Sequence, residues 1–243
     1  MLIQHLFKRG NVLLIAAAGC FAMALNLQAG DAERGYRLLT EKVYLPSDFD
    51  QETFDNIHRV WPTELRKKAE QASPAERRQM AFDRYGLSSR PHDPSKPLQY
   101  VVAENGNWSL SCFACHGGRL LDTPYPGLPN RDLELETLTE EVRLTKMLLG
   151  KTLSGMDIGS LIMPLGTTRG TTNAVNFGIV LMAYRDADLN VHEDRERPPM
   201  VHHDMDAPPW WHFSKKPKIY VDGYADKGAR GLMQMLMVPE NGP

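Results

Sequence analysis

Five residues, Cys112-Phe113-Ala114-Cys115-His116, constrain this chain more than any other stretch. On a short helix, side chains three and four positions apart share a face, so two thiols and an imidazole can meet one flat group. C-x-x-C-H is the spacing at which haem c is attached: the thiols bond to the vinyl groups, and the imidazole becomes an iron ligand. Gly117 and Gly118 follow at once and are expected to let the backbone pass close to the macrocycle. The competing chemistries need more than the chain offers. Structural zinc wants four ligands, commonly a second C-x-x-C or a histidine pair, whereas the sequence has three cysteines in all, the third being Cys20. A thioredoxin-like pair needs a βαβ setting, and the preceding AENGNWSLS is polar and turn-like. One covalent haem, held by Cys112, Cys115 and His116, is the expectation.

Such attachment belongs outside the cytoplasm, and the N-terminus agrees. Lys8 and Arg9 precede an apolar run from Val12 to Leu25, and Leu27-Gln28-Ala29 offers a cleavage point before Gly30. The run is shorter than the roughly 20 apolar residues a membrane span needs, so residues 1–29 read as a signal peptide and the protein as periplasmic or secreted. A retained membrane anchor is the alternative. Lipidation at Cys20 is a second, although Ala17 stands where Leu is usual; membrane association follows only in these two cases. Cleavage removes Lys8 and Arg9 and no acid, taking the formal charge from −2 to −4. No basic excess marks a nucleic-acid partner.

The remainder reads as mainly α, a cytochrome c-like helical haem domain with long loops rich in its 17 prolines and 19 glycines. Ser73, Pro74 and Gly86 bracket one helix as cap, first residue and stop. PTELRKKAEQA from Pro62 gives another. In TLTEEVRLTKMLLG, Leu138, Val142, Leu144, Met147, Leu148 and Leu149 are expected along one face. A buried helix is expected from Thr171 and a last helix from Asp226, and strand character appears only at LQYVVAE and KIYVD. HEDRERPP (His192–Pro199) reads as a solvated loop or linker. The organisation is then 1–29 signal peptide, 30–95 N-terminal helical extension, and 96–243 haem domain ending in a Trp/Lys-rich segment.

The sixth iron ligand decides what such a haem does. Met163, before Pro164, is the first candidate, and Met147, Met156, Met182, His202, His203 and His212 follow. In DAPPWWHFSKKPKIYVDG, Trp210 or Trp211 could pack on a porphyrin edge. Lys215, Lys216 and Lys218 could pair with propionates, or the whole could be a Trp-anchored loop with solvated lysines. Asp186, Asp188 and Asn190 alternate as at the start of a calcium loop, without the closing acidic ligand.

On SCFACHGG, GTTRGTTNAVNFG and PPWWHFSKKPKIYVDG, the chain resembles the dihaem cytochrome c peroxidase-like proteins, in the branch that includes the rubber oxygenases. The likeness runs from about Val101 to the C-terminus. It implies a peroxidase- or oxygenase-type oxidoreductase with two facing haem domains, and places Trp210 or Trp211 between the haems. It also implies an N-terminal catalytic haem with an open or exchangeable sixth position, and calcium between the domains. The sequence departs from that pattern in having one C-x-x-C-H. The expectation is therefore a fragment whose partner is a second haem domain or a separate redox protein; a single-haem electron carrier with His/Met ligation is the alternative. N-terminal sequencing of the exported protein should return a chain that begins near Gly30, and an intact Met1 would show an anchor instead.

Overall fold

The computed structural model describes residues 30–162, 165–172, 194, 205–219 and 225–226; the signal segment 1–29 lies outside them. The chain divides into two compact units, Met1–Thr40 and Glu41–Pro243. In the first, helix α1 (30–41) carries Thr40, whose hydroxyl donates to the Tyr36 carbonyl one turn back at 2.9 Å.

In the second unit, strand β1 (Phe49–Asp50) runs directly into helix α2 (Gln51–Asn56). Asp50 makes the switch by accepting from the backbone N–H of Thr53 at 2.9 Å, which satisfies one of the unpaired donors of the first turn. A 3₁₀ turn (Ile57–Val60) leads to α3 (Thr63–Gln71) and α4 (Pro74–Tyr85). Helix α4 has the ends its sequence announces. Ser73 and Glu76 form a reciprocal capping box, Pro74 opens the helix, and Gly86 closes it at φ +68°. Gly86 has a second reason to lack a side chain, since a Cβ there would sit 1.8 Å from the Asp132 carbonyl oxygen.

Short strands follow. β2 (Ser89–Arg90) and β3 (Asp93–Pro97) form a hairpin, and β4 (Tyr100–Val102) and β5 (Asn107–Leu110) form another. β1 joins the latter pair in an antiparallel sheet of order β1-β5-β4, with Phe49 opposite Trp108. Helix α5 (Phe113–His116) is one turn long, and the small hairpin β6 (Arg119–Leu120) with β7 (Thr123–Pro124) comes after it. Then come α6 (Leu135–Leu148) and α7 (Gly155–Ile162). β8 (Thr171–Thr172) pairs with β9 (Met205–Asp206). A 3₁₀ helix (Trp210–Lys215) precedes β10 (Lys218–Ile219), which pairs with β11 (Ala225–Asp226).

The chain is thus mixed α/β rather than mainly α. Strands of two to five residues are too short to display an alternating pattern, and β3 contains two prolines, which sequence reading assigns to loops. The strand character expected in LQYVVAE and KIYVD is present at β4 and β10. At Thr171, where a helix was expected to begin, Thr171 and Thr172 are strand, and the residues that follow lie outside the described ones. The segment expected to be helical from Asp226 does so as well beyond Asp226 itself.

The core is aromatic. Phe54 stacks on Trp108 at 4.3 Å, and Phe49 and Tyr100 lie 5.4 and 5.6 Å from Trp108. Phe82, Tyr85, Leu138 and Val142 continue the same cluster. The boundary expected near position 95 falls inside it, because Phe49, Phe54 and Phe82 pack against Tyr100, Trp108 and Leu138. Helix α6 also differs from its expected face. Leu138 and Val142 point in, with Glu141, Thr145 and Lys146 buried beside them, whereas Leu144, Met147 and Leu148 are exposed.

Glu141 is buried because it is fully partnered. Arg84 grips it through Nε at 2.8 Å and through Nη2, and the Tyr85 hydroxyl donates to it at 2.5 Å while accepting from Trp61 Nε1 at 2.7 Å. The resulting chain ties α4 and α6 to the residue that follows the 3₁₀ turn. Burial and the adjacent Glu141 carboxylate hold the Tyr85 phenol well above its ordinary range, so it remains a donor. Replacing one member strands the others in a dry interior. Glu141→Ala should cost about 3 kcal/mol in urea unfolding, and a loss under about 1 kcal/mol would show that the network is incidental.

Candidate functional site

Helix α5 is too short to be stable alone, so its surroundings must hold the C-x-x-C-H turn. Ser111, just ahead of it, accepts from the Phe113 N–H and donates to the Leu98 carbonyl. The buried Gln99 side chain spans from the Ser88 N–H to the Gly117 carbonyl, at 2.8 and 2.9 Å. The buried Asn130 side chain donates to the carbonyls of Ala114 and Gly86 at 2.9 and 3.0 Å, while its own N–H reaches the Cys115 carbonyl. Phe113 and Ala114 point into the protein, which turns Cys112, Cys115 and His116 to the half-buried side.

Gly117 and Gly118 are required by the chain itself. A Cβ on Gly117 would lie 2.5 Å from the Phe113 carbonyl oxygen, and one on Gly118 would lie 2.0 Å from that of Pro129. In both cases the nearest atom is a backbone carbonyl oxygen of the protein itself.

No disulfide joins Cys112 to Cys115. Burial pushes the Cys112 thiol up, keeping it as S–H and setting it apart from the low-pKa thiolates of redox-active pairs. The His116 Nδ1 lies 3.0 Å from the Pro208 carbonyl, 92 positions along the chain. A carbonyl only accepts, so Nδ1 carries the proton and Nε2 is left with its lone pair. Burial lowers the His116 pKa and the Pro208 bond partly opposes it, so the ring is a neutral donor at neutral pH.

The Pro-Pro-Trp-Trp segment closes over this turn. Trp210 is half-buried, with its ring 5.2 Å from that of His116 and 5.5 Å from Phe113. Its N–H donates to the Gly127 carbonyl, and the Gly127 N–H donates to that of His116. Gly127, at φ +89°, has the Trp210 side chain 3.1 Å from where a Cβ would be. The two tryptophans therefore separate: Trp210 packs on the motif, and Trp211 is 56 % exposed. Lys215, Lys216 and Lys218 are exposed.

Of the candidate sixth ligands, Met163, Met182, His202 and His203 lie outside the described residues, as does the side chain of Met156. Met147 is exposed on α6 and His212 is exposed on the 3₁₀ helix. Asp186, Asp188 and Asn190, the calcium candidates, also lie outside the described residues. Among the described residues, no three His, Cys, Asp or Glu side chains converge as an ion's ligands would. No family model matches this chain, and no curated protein matches it.

Sequence reading missed the supports of the motif: Gln99, Ser111, Gly127, Asn130 and the Pro208 carbonyl. Only Asn130, between Pro129 and Arg131, carries a local hint, as a small polar residue in a turn. Asn130→Ala would leave two buried carbonyls without a donor. It should destabilise the protein by about 2 kcal/mol in thermal or urea unfolding, and a change within about 0.5 kcal/mol would mean that those carbonyls find other partners.

Proposed function

We propose that the chain is an exported c-type cytochrome that holds one haem covalently through Cys112 and Cys115, with His116 as an axial iron ligand. The observation that carries this is the state of His116: a neutral imidazole whose Nδ1–H is tied to the Pro208 carbonyl, so that Nε2 is free to bind a metal. The donor set fits the group. Two half-buried thiols three positions apart precede that imidazole, neither is in a disulfide, and Cys112 keeps its proton. That proton is the one a thiol adds, together with sulfur, across a vinyl double bond. When bound, the haem supplies one-electron redox chemistry at its iron, tuned by axial ligands, hydrogen bonds and burial.

The residues of the chain have separable tasks in this reading. Cys112 and Cys115 fix the group's position. The Pro208 carbonyl sets the tautomer and orientation of the imidazole and raises its basicity. Trp210 covers one side of the ring and limits the access of water to it. The placing of Trp210 on the motif also supports the finer reading, in which this is the haem-bearing part of a dihaem peroxidase- or oxygenase-like oxidoreductase and Trp210 faces a redox partner or second haem domain. The alternative is a monohaem electron carrier with His/Met ligation, for which the one C-x-x-C-H of these 243 residues would suffice.

Haem should remain with the polypeptide through denaturation and acid–acetone extraction, and the double variant Cys112→Ala, Cys115→Ala should lose it. Complete extraction from the wild-type chain would overturn the assignment.

A further inference from the structure

The segment that closes over the motif has a second side. Pro208 and Trp210 are committed inward, one through its carbonyl to His116 Nδ1 and the other by its ring against the imidazole. The residues that follow turn outward. On the 3₁₀ helix Trp210–Lys215, Trp211 is 56 % exposed and Phe213 is 36 % exposed. Across the Gly127 contact, Tyr125 is 48 % exposed as well. Its N–H donates to the Gly118 carbonyl at 2.8 Å, and Gly127, two residues on, accepts from Trp210. Large aromatic rings thus stand in water beside the contact that covers the motif, forgoing the burial that stabilises Phe113.

The lysines give this face its sign. Lys215 and Lys216 are exposed, and among the described residues neither has an ion-pair partner. Lys218 is set apart, because β10 places it opposite Asp226. From Trp211 to Lys218 the sequence holds three lysines and no acid, whereas the chain as a whole carries a formal charge of −2. The nearest acid before the segment, Asp206, is in β9, ahead of Pro208. A cationic, aromatic face on an acidic chain is a local inversion of sign, and it adjoins the imidazole that would hold the iron.

We propose that this face, built on Trp211, Phe213, Lys215 and Lys216, docks an acidic protein partner. Aromatic side chains are the anchors that protein interfaces bury at their centres, and charged rims steer the encounter and select its sign. Trp211 and Phe213 supply the anchors, and the two ammonium groups select for carboxylates. A membrane surface is the weaker fit. A helix that lies in a bilayer interface needs a long apolar face, whereas this one offers two exposed rings in six residues, with Ser214 between Phe213 and Lys215. The role of the docked protein as an electron donor or acceptor rests on the haem reading above; the surface itself does not.

The test is fluorescence anisotropy of labelled acidic polypeptides mixed with the full chain, at low and at physiological salt. Poly-L-glutamate and a random copolymer of Glu and Tyr are the probes. The wild type should bind both, less tightly as salt rises, and should prefer the copolymer, whose rings bury against Trp211 and Phe213. The double variant Lys215→Glu, Lys216→Glu should bind either probe about tenfold more weakly. The same charge change on exposed residues of α3, Lys67→Glu with Lys68→Glu, should leave binding at the wild-type level, which separates a local face from net charge. Trp211→Ala should remove the preference for the copolymer. No binding at low salt, equal losses in the two double variants, or a preference unchanged in Trp211→Ala would overturn the proposal. Sedimentation with phosphatidylglycerol vesicles, without binding of either polypeptide, would assign the face to a membrane and overturn it as well. None of these measurements involves iron, so their failure leaves the haem assignment standing, and extraction of the haem would overturn that assignment and leave the docking surface.

Discussion

The structure around the motif depends on one long-range contact, the packing of Pro208–Trp210 on the C-x-x-C-H turn. A one-turn helix cannot set its own side chains. Here the Pro208 carbonyl fixes which nitrogen of His116 is bare, and the Trp210 ring lies against the imidazole. Gly127 makes the contact possible, because its missing side chain lets Trp210 close in while its backbone bonds both His116 and Trp210. From the inner side, Asn130 and Gln99 hold the same turn by its carbonyls.

The motif itself was legible because its three residues are contiguous and their chemistry is unusual. Helix α4 was legible because Ser73, Pro74 and Gly86 act locally. The mixed character of the fold was not, since strands as short as β1 and β8 owe their existence to partners far along the chain and carry no period of their own. Helix α6 misled for a related reason: its inward face includes Glu141 and Lys146, each bonded by a group outside the helix, and Thr145, whose hydroxyl donates to the Glu141 carbonyl one turn back. The choice between Trp210 and Trp211 was equally closed to the sequence, because two adjacent tryptophans differ only in which one meets Gly127 and His116.

Buried polar groups recur through the molecule and divide the work. The Trp61–Tyr85–Glu141–Arg84 chain is fully satisfied and joins helices across the aromatic core. The Lys146–Asp157 pair is satisfied as well and anchors α7 to α6. A fully satisfied network of this kind specifies one structure.

The central claim is a covalent bond, and a mass measurement tests it directly. The protein would be digested with a protease and the peptide containing Cys112, Cys115 and His116 weighed. The account predicts that this peptide carries the added mass of one haem, joined through both sulfurs. A peptide with the mass of two unmodified thiols, or of a Cys112–Cys115 disulfide, would contradict it.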